Sequence, residues 1–228
     1  MLAIAGGKGG CGKTTTALGL ARALAEFGYT PLVVDADSDM PDIHHMADID
    51  HRVLDATRHV DSGRTIDSSR QTTRLSGVDA VATGYSFEDA VQYTDAFPGV
   101  GFLTAGRRET TIHALRQCQN WPGPVIIDTP AGISPDATRP LAVADTALVL
   151  STDEPQCLED TTRTATACTQ FGTHAVGVIR EVVGSSPTSL GDVPVIGLLP
   201  TVAVPFQSKA LTDAFEELAR HLEPLVGS

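Results

Sequence analysis

Short apolar runs alternate with longer segments of mixed polarity along most of this chain. The apolar runs cover residues 2–5, 31–34, 100–103, 125–127, 147–150, 175–179 and 195–199, and helical patterns lie between several of them, notably over 14–27, 107–118 and 156–171. Apolar strands that alternate with helices are typical of a parallel sheet covered on both faces. We therefore predict an α/β fold, with a mostly parallel β-sheet and helices on both of its faces.

The same pattern predicts a single domain over residues 1–228. The length lies within the range that forms one hydrophobic core, and the sequence contains neither an internal repeat nor a linker-like break. The least regular segment, residues 44–76, is polar and has no clear periodicity. We expect a surface excursion or a partner-binding region there.

The last helical segment, residues 209–222, carries an apolar stripe formed by Leu211, Phe215, Leu218 and Leu222. This spacing predicts a helix packed against the core. The opposite face is more acidic than basic, which does not suit an anionic lipid surface. No apolar run approaches the roughly 20 residues needed to span a bilayer. Direct membrane anchoring by this segment is therefore not expected.

The charge balance narrows the possible partners. The chain has a formal net charge of −12, and lysine accounts for only three of its 16 basic residues. Its longest basic cluster is Arg107-Arg108, so direct nucleic-acid binding, which depends on clustered positive charge, is not expected. The composition resembles that of halophilic archaeal proteins. At ~1 M salt the Debye length falls to about 3 Å, so repulsion between carboxylates is screened.

The cysteines and the first residues point to a cytoplasmic protein. Cys11, Cys118, Cys157 and Cys168 form no CxxC or CxC pair, so neither a metal site nor a disulfide framework is indicated, and we expect most of them to be buried as small hydrophobic residues. The first strand and the glycine-rich loop after it leave no room for a leader sequence.

The glycine-rich loop after the first strand carries the strongest chemical signal. Residues Gly7 to Thr14 fit the phosphate-binding pattern G-x-x-x-x-G-K-[ST], between a predicted strand and a predicted helix. Backbone N–H groups and a helix N-terminus can surround an anion in this context. The pattern predicts that Lys13 contacts the β- and γ-phosphates and that Thr14 places its hydroxyl on Mg²⁺.

The loop contains a second lysine, five residues before Lys13. The string Lys8-Gly9-Gly10-Cys11-Gly12-Lys13-Thr14-Thr15 resembles the deviant P-loop of the MinD/ParA family of ATPases. The resemblance implies a P-loop NTPase fold, ATP as substrate with Mg²⁺, and a homodimer formed around the nucleotide, in which Lys8 reaches the partner's phosphates. A solvated loop lysine is the alternative interpretation of Lys8. The nucleotide-binding residues that the resemblance implies in this loop are Gly7, Lys8, Gly9, Gly10, Cys11, Gly12, Lys13, Thr14 and Thr15.

Aspartates follow two of the predicted strands. The second strand runs into Asp35 and Asp37, and the strand over 125–127 ends in Asp128, followed by Thr-Pro-Ala-Gly. The Asp128 string is similar to the family's Walker B motif, which implies that Asp128 holds Mg²⁺, with Thr14 and Asp35 as further members of the metal site. The resemblance gives Asp37 the role of positioning the attacking water, so the implied catalytic residues are Lys8, Lys13 and Asp37. For Asp35 and Asp37, a turn or helix N-cap role is the alternative.

The sequence departs from the family pattern at a residue that contacts the nucleobase. Relatives usually carry an asparagine that contacts adenine after the strand over 175–179, whereas this chain has Arg180. Arginine can stack on a base, but it lacks the acceptor that an amide offers. The remaining base contacts implied by the resemblance are near Pro200 and Thr201.

A second possible metal-binding group lies between residues 42 and 51. If residues 42–51 are helical, His44, Asp48 and His51 share one face and could hold a metal. Solvated histidines on an irregular acidic surface are the alternative that we favour.

Three functions remain open from the sequence. The first is a switch ATPase that dimerises on Mg-ATP, hydrolyses it slowly, and positions or partitions a cargo through an unidentified activating or cargo protein. The second is an ATP-dependent maturation factor for a metal or cluster, although the paired cysteines typical of that class are absent from the sequence. The third is a nucleotide sensor that binds without hydrolysis.

Overall fold

The computed structural model describes residues 1–50, 54–55, 74–181 and 186–226. The strands are β1 Leu2–Gly6, β2 Leu32–Asp35, β3 Leu54–Asp55, β4 Arg74–Leu75, β5 Gly101–Leu103, β6 Val125–Asp128, β7 Thr146–Thr152, β8 His174–Glu181, β9 Ser189–Leu190 and β10 Val193–Pro200. The helices are α1 Lys13–Glu26, α2 Ile43–Met46, α3 Gly77–Ala82, α4 Phe87–Ala90, α5 Arg108–Cys118, α6 Pro135–Leu141, α7 Pro155–Gln170 and α8 Lys209–Val226, with a 3₁₀ turn at Pro205–Gln207.

Eight of these strands form one sheet in the order β5-β2-β6-β1-β7-β8-β10-β9. Every pairing in it is parallel except the one between β9 and β10. Strands β3 and β4 form a separate antiparallel pair. The predicted α/β fold with a mostly parallel sheet is therefore confirmed.

Alternate residues of the central strands enter two different hydrophobic clusters. Leu2 and Ile4 of β1 pack in a cluster with α1 and α8, whereas Ala3 and Ala5 pack in a cluster that contains residues of α3, α5 and α7. Since successive side chains of a strand point to opposite faces, the helices cover both faces of the sheet. This arrangement leaves the ends of the parallel strands, rather than their faces, accessible to ligands.

The C-terminal helix packs as its apolar stripe predicts. Leu211, Phe215, Leu218 and Leu222 are all buried. The contact with α1 is close, because a Cβ placed on Gly19 would lie 2.1 Å from the Phe215 ring. Among the described residues, none of the helices combines the length and the apolar character needed to cross a membrane.

Several strands extend beyond the apolar runs that predict them. In β7 and β8 the ladder continues to the pair Thr152 and Arg180, and β10 continues to Pro200 opposite Glu181. Backbone pairing does not require apolar side chains, so hydrophobicity marks the centre of a strand better than its polar end. These polar ends carry several of the candidate site residues.

Candidate nucleotide-binding site

A cleft of about 290 Å³ lies at the carboxyl ends of the central parallel strands. In open α/β sheets this edge is where ligands bind. Three segments form most of the cleft: the loop between β1 and α1, the segment after β2 and the segment after β6. Its lining residues are Gly9, Gly10, Gly12, Lys13, Thr14, Thr15, Asp37, Met40, Asp42, Met46, Asp128, Thr129, Ala131 and Arg180.

The loop between β1 and α1 turns through two glycines with left-handed backbone conformations. Gly10 has φ 77° and Gly12 has φ 99°, a region that other residues rarely adopt. The Gly12 carbonyl accepts the N–H of Thr16 at 2.8 Å, so the N–H groups of the residues just before Thr16 are not used within the helix. The first turn of α1 contains no acidic residue. The cleft therefore faces a helix N-terminus suited to a phosphate group.

Gly7 has a different role from the other loop glycines. A Cβ on Gly7 would lie 2.4 Å from the carbonyl carbon of Asp160 and 2.5 Å from the backbone nitrogen of Thr161, both in α7. The N–H of Gly7 also donates to the Thr161 hydroxyl oxygen at 3.4 Å. Gly7 thus allows the loop to pack directly on α7. The sequence pattern did not indicate this contact.

The two loop lysines lie in different surroundings. Lys13 is half-buried at the start of α1 and lines the cleft. Lys8 is exposed on the outer part of the loop, and it does not belong to the described residues that line the cleft. Cys11, between them, is buried in the core below the loop.

Asp128 is a buried carboxylate at the wall of the cleft. Burial raises its pKa from 3.8 to about 7, although a hydrogen bond with the Thr14 side chain and the charge of Lys13 both lower it. Its Oδ1 atom is buried and has no hydrogen-bond partner among the described residues. Buried carboxylate oxygens are normally hydrogen-bonded or bound to a cation. This unpartnered oxygen beside the Thr14 hydroxyl fits the predicted Mg²⁺ site.

Asp35 lies behind the wall of the cleft and is almost completely buried. Its Oδ1 accepts the N–H of Asp37 at 3.1 Å, and its Oδ2 accepts the N–H of Ile43 at 3.4 Å. Burial raises the pKa of the Asp35 carboxyl well above its usual range, and the charge of Asp128 raises it further. Asp35 thus fixes the turn after β2, while a second lone pair on each oxygen leaves it able to support a metal shell.

Asp37 combines a turn role with a position in the cleft. Its Oδ1 accepts the N–H groups of Asp39 at 3.2 Å and Met40 at 3.0 Å, which is the pattern of an Asx turn. The same side chain lines the cleft together with Lys13 and Asp128. The turn therefore holds the Asp37 carboxylate at the position that faces the predicted phosphates.

The segment after Asp128 is fixed to the glycine-rich loop. The Thr129 hydroxyl donates to the Ile4 carbonyl at 2.8 Å, and the Gly132 N–H donates to the Gly6 carbonyl at 3.0 Å. Gly132 has φ 86°, so its backbone conformation favours glycine. Because this N–H is bonded within the protein, it is not free to bind a phosphate.

Arg108, for which the sequence predicts no role in nucleotide binding, connects the segment after β2 with the segment after β6. The Arg108 guanidinium pairs with Asp136 of α6 at 2.8 Å and with Asp39 in the turn after β2. Arg139 lies 3.8 Å from the same Asp136 carboxylate. The only hint in the sequence is the Arg107-Arg108 pair, which gives no indication of its partners.

A smaller pocket of about 60 Å³ adjoins the cleft. Arg180, Pro200 and Thr201, the predicted base contacts, all line it. Arg180 and Gly12 line both the pocket and the cleft, so the two are continuous. The structure therefore brings the phosphate and base residues of the prediction together at one edge of the sheet.

The histidine group near residue 44 lacks the geometry of a metal site. Helix α2 ends at Met46, and Asp48 has φ 54°, so His44 and Asp48 do not share a helical face. His51 lies outside the described residues. Within the described ranges, no group of three or more His, Cys, Asp or Glu side chains could hold a metal ion. This does not conflict with Mg²⁺ at the cleft, because Mg²⁺ is commonly held by one or two carboxylates together with substrate phosphates.

Comparisons with known proteins give a family model and sequence relatives that match most of this chain. The protein-family model described as the CobQ/CobB/MinD/ParA nucleotide binding domain matches residues 2–227. An uncharacterised ATP-binding protein of Methanocaldococcus jannaschii is 29% identical over 216 residues, which cover 87% of this chain and 73% of that protein.

Solved structures of other proteins share the fold of this chain. The septum site-determining protein MinD of Pyrococcus horikoshii, complexed with Mg-ADP, superposes with a TM-score of 0.74 at 23% identity, covering 98% of this chain and 96% of the other. The MinC:MinD cell division protein complex of Aquifex aeolicus gives 0.76 at 19% identity, covering 98% and 95%. The predicted P-loop NTPase fold is thereby confirmed.

Proposed function

This chain belongs to the CobQ/CobB/MinD/ParA family of nucleotide-binding domains, and on that premise we propose that it is a switch ATPase. It binds Mg-ATP in the cleft, dimerises around the nucleotide and hydrolyses it slowly. The observation that carries the proposal is the meeting of Lys13, Thr14, Asp37 and Asp128 in one cleft at the N-terminus of α1. These are the groups that phosphoryl transfer to water requires: an anion site, a cation site and a carboxylate beside the terminal phosphate.

Lys13 and the backbone N–H groups of the loop bind the β- and γ-phosphates. Their charges and dipoles are fixed before the substrate arrives, so they stabilise the transition state without further reorganisation. Asp128 and Thr14 would hold Mg²⁺, and Asp35 would support them from behind. The ion would supply positive charge that neutralises the charge developing on the phosphates.

Asp37 orients the attacking water. Its carboxylate is held by the N–H groups of Asp39 and Met40, so the side chain keeps one rotamer in the cleft. Positioning accounts for much of the catalysis in such enzymes, because little covalent chemistry is required of the protein. We therefore expect slow turnover by the isolated protein and faster turnover with an activating partner.

Lys8 acts on the nucleotide of a second copy of this chain. Its exposure on the outer part of the loop, away from the cleft of its own subunit, supports this role. A homodimer with nucleotide between the subunits would bring each Lys8 to the other subunit's phosphates.

We infer that the cellular task is spatial positioning or partitioning, with the whole chain acting as one domain. The support comes from similarity to septum site-determining MinD proteins, one of which was solved in complex with MinC. The partner in this task would be a different protein, either a cargo or an activator of hydrolysis.

Light scattering of the Asp37→Ala variant tests the proposal. The mass is measured in molar KCl with Mg²⁺ and ATP, GTP or ADP, next to phosphate release by the unmodified protein. We expect a dimer with triphosphate, a monomer with ADP, and a monomer under all conditions when Lys8→Ala is added. A monomer in every nucleotide would contradict the dimeric switch and favour a sensor.

A further inference from the structure

Arg180 lies at the boundary between the phosphate cleft and the adjoining pocket. It is paired in register with Thr152 of β7 on one side and Leu199 of β10 on the other. Its side chain extends over the glycine-rich loop, where a Cβ on Gly12 would lie 3.5 Å from the Arg180 Nη1 atom and 3.9 Å from its Cδ atom. A nucleotide with its phosphates in the cleft and its base in the pocket would therefore lie beside the Arg180 guanidinium.

The Arg180 guanidinium has unused hydrogen-bonding capacity. Its Nε atom is buried and has no hydrogen-bond partner among the described residues. Buried donors are rarely left unpaired in proteins, and this one belongs to a side chain that lines both the pocket and the cleft, which points to a ligand there. Arginine offers donors only, in a planar fork that suits two adjacent acceptors.

The rest of the pocket supplies mostly apolar contact. Leu199, Pro200, Val202 and Pro205 line it, and these side chains can only pack against a flat ring. The Thr201 hydroxyl donates to the Glu181 carbonyl, which occupies its hydrogen. Thr15 and Thr16 also line the pocket, but Arg180 is the one charged side chain among its described lining residues and therefore the strongest donor available to a base.

We propose that Arg180 sets the base selectivity of this site, so that guanine nucleotides bind at least as tightly as ATP. The inference rests on the proposed nucleotide function and names the class of base. Guanine presents two adjacent acceptors, O6 and N7, which match the arginine fork, whereas adenine places its N6 amino donor beside N7. A donor-only side chain satisfies the guanine edge fully and faces a like donor on adenine.

Arg180 could instead contact the ribose or the α-phosphate, because it also lines the cleft. Such a contact would not depend on the base. Binding of nucleotides that share a phosphate chain and differ in the base therefore distinguishes the two roles.

The test is calorimetric titration of Mg²⁺ complexes of ATP, GTP and ITP into the full chain and its variants. Inosine keeps O6 and N7 but lacks the 2-amino group of guanine, so ITP isolates the proposed edge. The variants are Arg180→Asn, whose amide offers both a donor and an acceptor, and Arg180→Gln in case the shorter side chain impairs folding. Arg116→Asn, an exposed position on α5, is the matched control.

We expect GTP and ITP to bind the unmodified protein at least as tightly as ATP. Either Arg180 variant should shift the GTP-to-ATP affinity ratio about tenfold toward ATP, which corresponds to about 1.4 kcal/mol. A tenfold preference of the unmodified protein for ATP, or an equal loss for all three nucleotides in the variants, would overturn the inference and leave the ATPase proposal standing. Failure of every nucleotide to bind would overturn both.

Discussion

Asp35 and Asp128 lie opposite each other as register partners on the adjacent parallel strands β2 and β6, and both are almost completely buried. Two buried carboxylates on neighbouring strands disfavour each other's charged form. Burial is the main cause of the raised pKa of each carboxyl. The charge of Asp128 raises the pKa of Asp35 further, whereas the pKa of Asp128 is lowered by the Thr14 hydrogen bond and the charge of Lys13 and raised by the charges of Asp37 and Asp42. A cation bound beside the pair would therefore favour the charged form of both carboxylates.

The first prediction concerns pH. With its pKa raised from 3.8 to about 7, Asp128 holds a proton in the folded metal-free protein at pH values where the unfolded chain has lost it. The folded state then binds more protons than the unfolded state, so stability falls as the pH rises from about 4 to 7. The loss from this group is on the order of 4 kcal/mol at most.

Thermal unfolding of the metal-free protein between about pH 4 and 8 measures this effect. Asp128→Asn should reduce the slope of stability against pH in that window, and Asp95→Asn, which changes an exposed carboxylate, should not. Mg²⁺ with nucleotide should restore stability at the alkaline end. An unchanged slope in Asp128→Asn would show that Asp128 ionises normally.

The second prediction separates the two loop lysines. Lys13→Ala should weaken Mg-ADP binding by roughly 10- to 150-fold, since a charge-assisted hydrogen bond contributes about 1.5–3 kcal/mol. Lys8→Ala should leave Mg-ADP binding nearly unchanged, because ADP does not support the proposed dimer. Calorimetric titration of the two variants gives both values, and equal losses would indicate that Lys8 acts within its own subunit.

The third prediction concerns Gly7. Gly7→Ala should destabilise the protein by about 1–3 kcal/mol, because the new methyl group meets the backbone of α7. For a chain of this length that corresponds to a fall of roughly 2–12 °C in Tm. Gly9→Ala is the matched control, since no described atom lies within 4 Å of its Cβ position. Similar melting temperatures for the two variants would contradict the close contact.

The fourth prediction concerns Arg108, which connects Asp39 with Asp136. Arg108→Ala should leave the free energy of unfolding nearly unchanged, because these ion pairs are largely open to solvent. We expect a roughly tenfold lower kcat with unchanged nucleotide affinity, because the turn that holds Asp37 loses a support. Arg163→Ala, which removes comparable exposed ion pairs on α7, should leave kcat unchanged.

The fifth prediction concerns salt. With a net charge of −12, the folded chain should lose structure when KCl is lowered from about 2 M to 0.1 M, because screening of its carboxylates is lost. Far-UV circular dichroism and the melting temperature measure the change. Sucrose, which does not screen charge, should fail to substitute for KCl. A melting temperature independent of salt would refute the halophilic interpretation of the composition.

Some features of the protein could be predicted well from sequence, and others only in part. The family resemblance, taken from residues 8–15, is confirmed by the family match over residues 2–227. The apolar runs found the seven longer strands of the main sheet, but they missed the short β9 and the polar ends of β7 and β8. A two-residue strand carries too few positions to show any periodicity.

The sequence by itself determined the fold class, the glycine-rich loop and the aspartates that follow the strands. These are local properties: strand and helix periods, glycines that allow left-handed turns, and polar residues placed directly after apolar runs. The expectation that most of the cysteines are buried is also confirmed, since all four are free and buried. Each could be recognised within about ten residues of chain.

Only the tertiary structure decided which distant groups meet. Gly7 contacts α7 about 150 residues later, Arg180 lies over Gly12, and Arg108 connects segments after two different strands. The raised pKa of Asp128 likewise depends on burial produced by the whole sheet. Such contacts arise from the packing of elements far apart in the chain, so no local pattern of residue types encodes them.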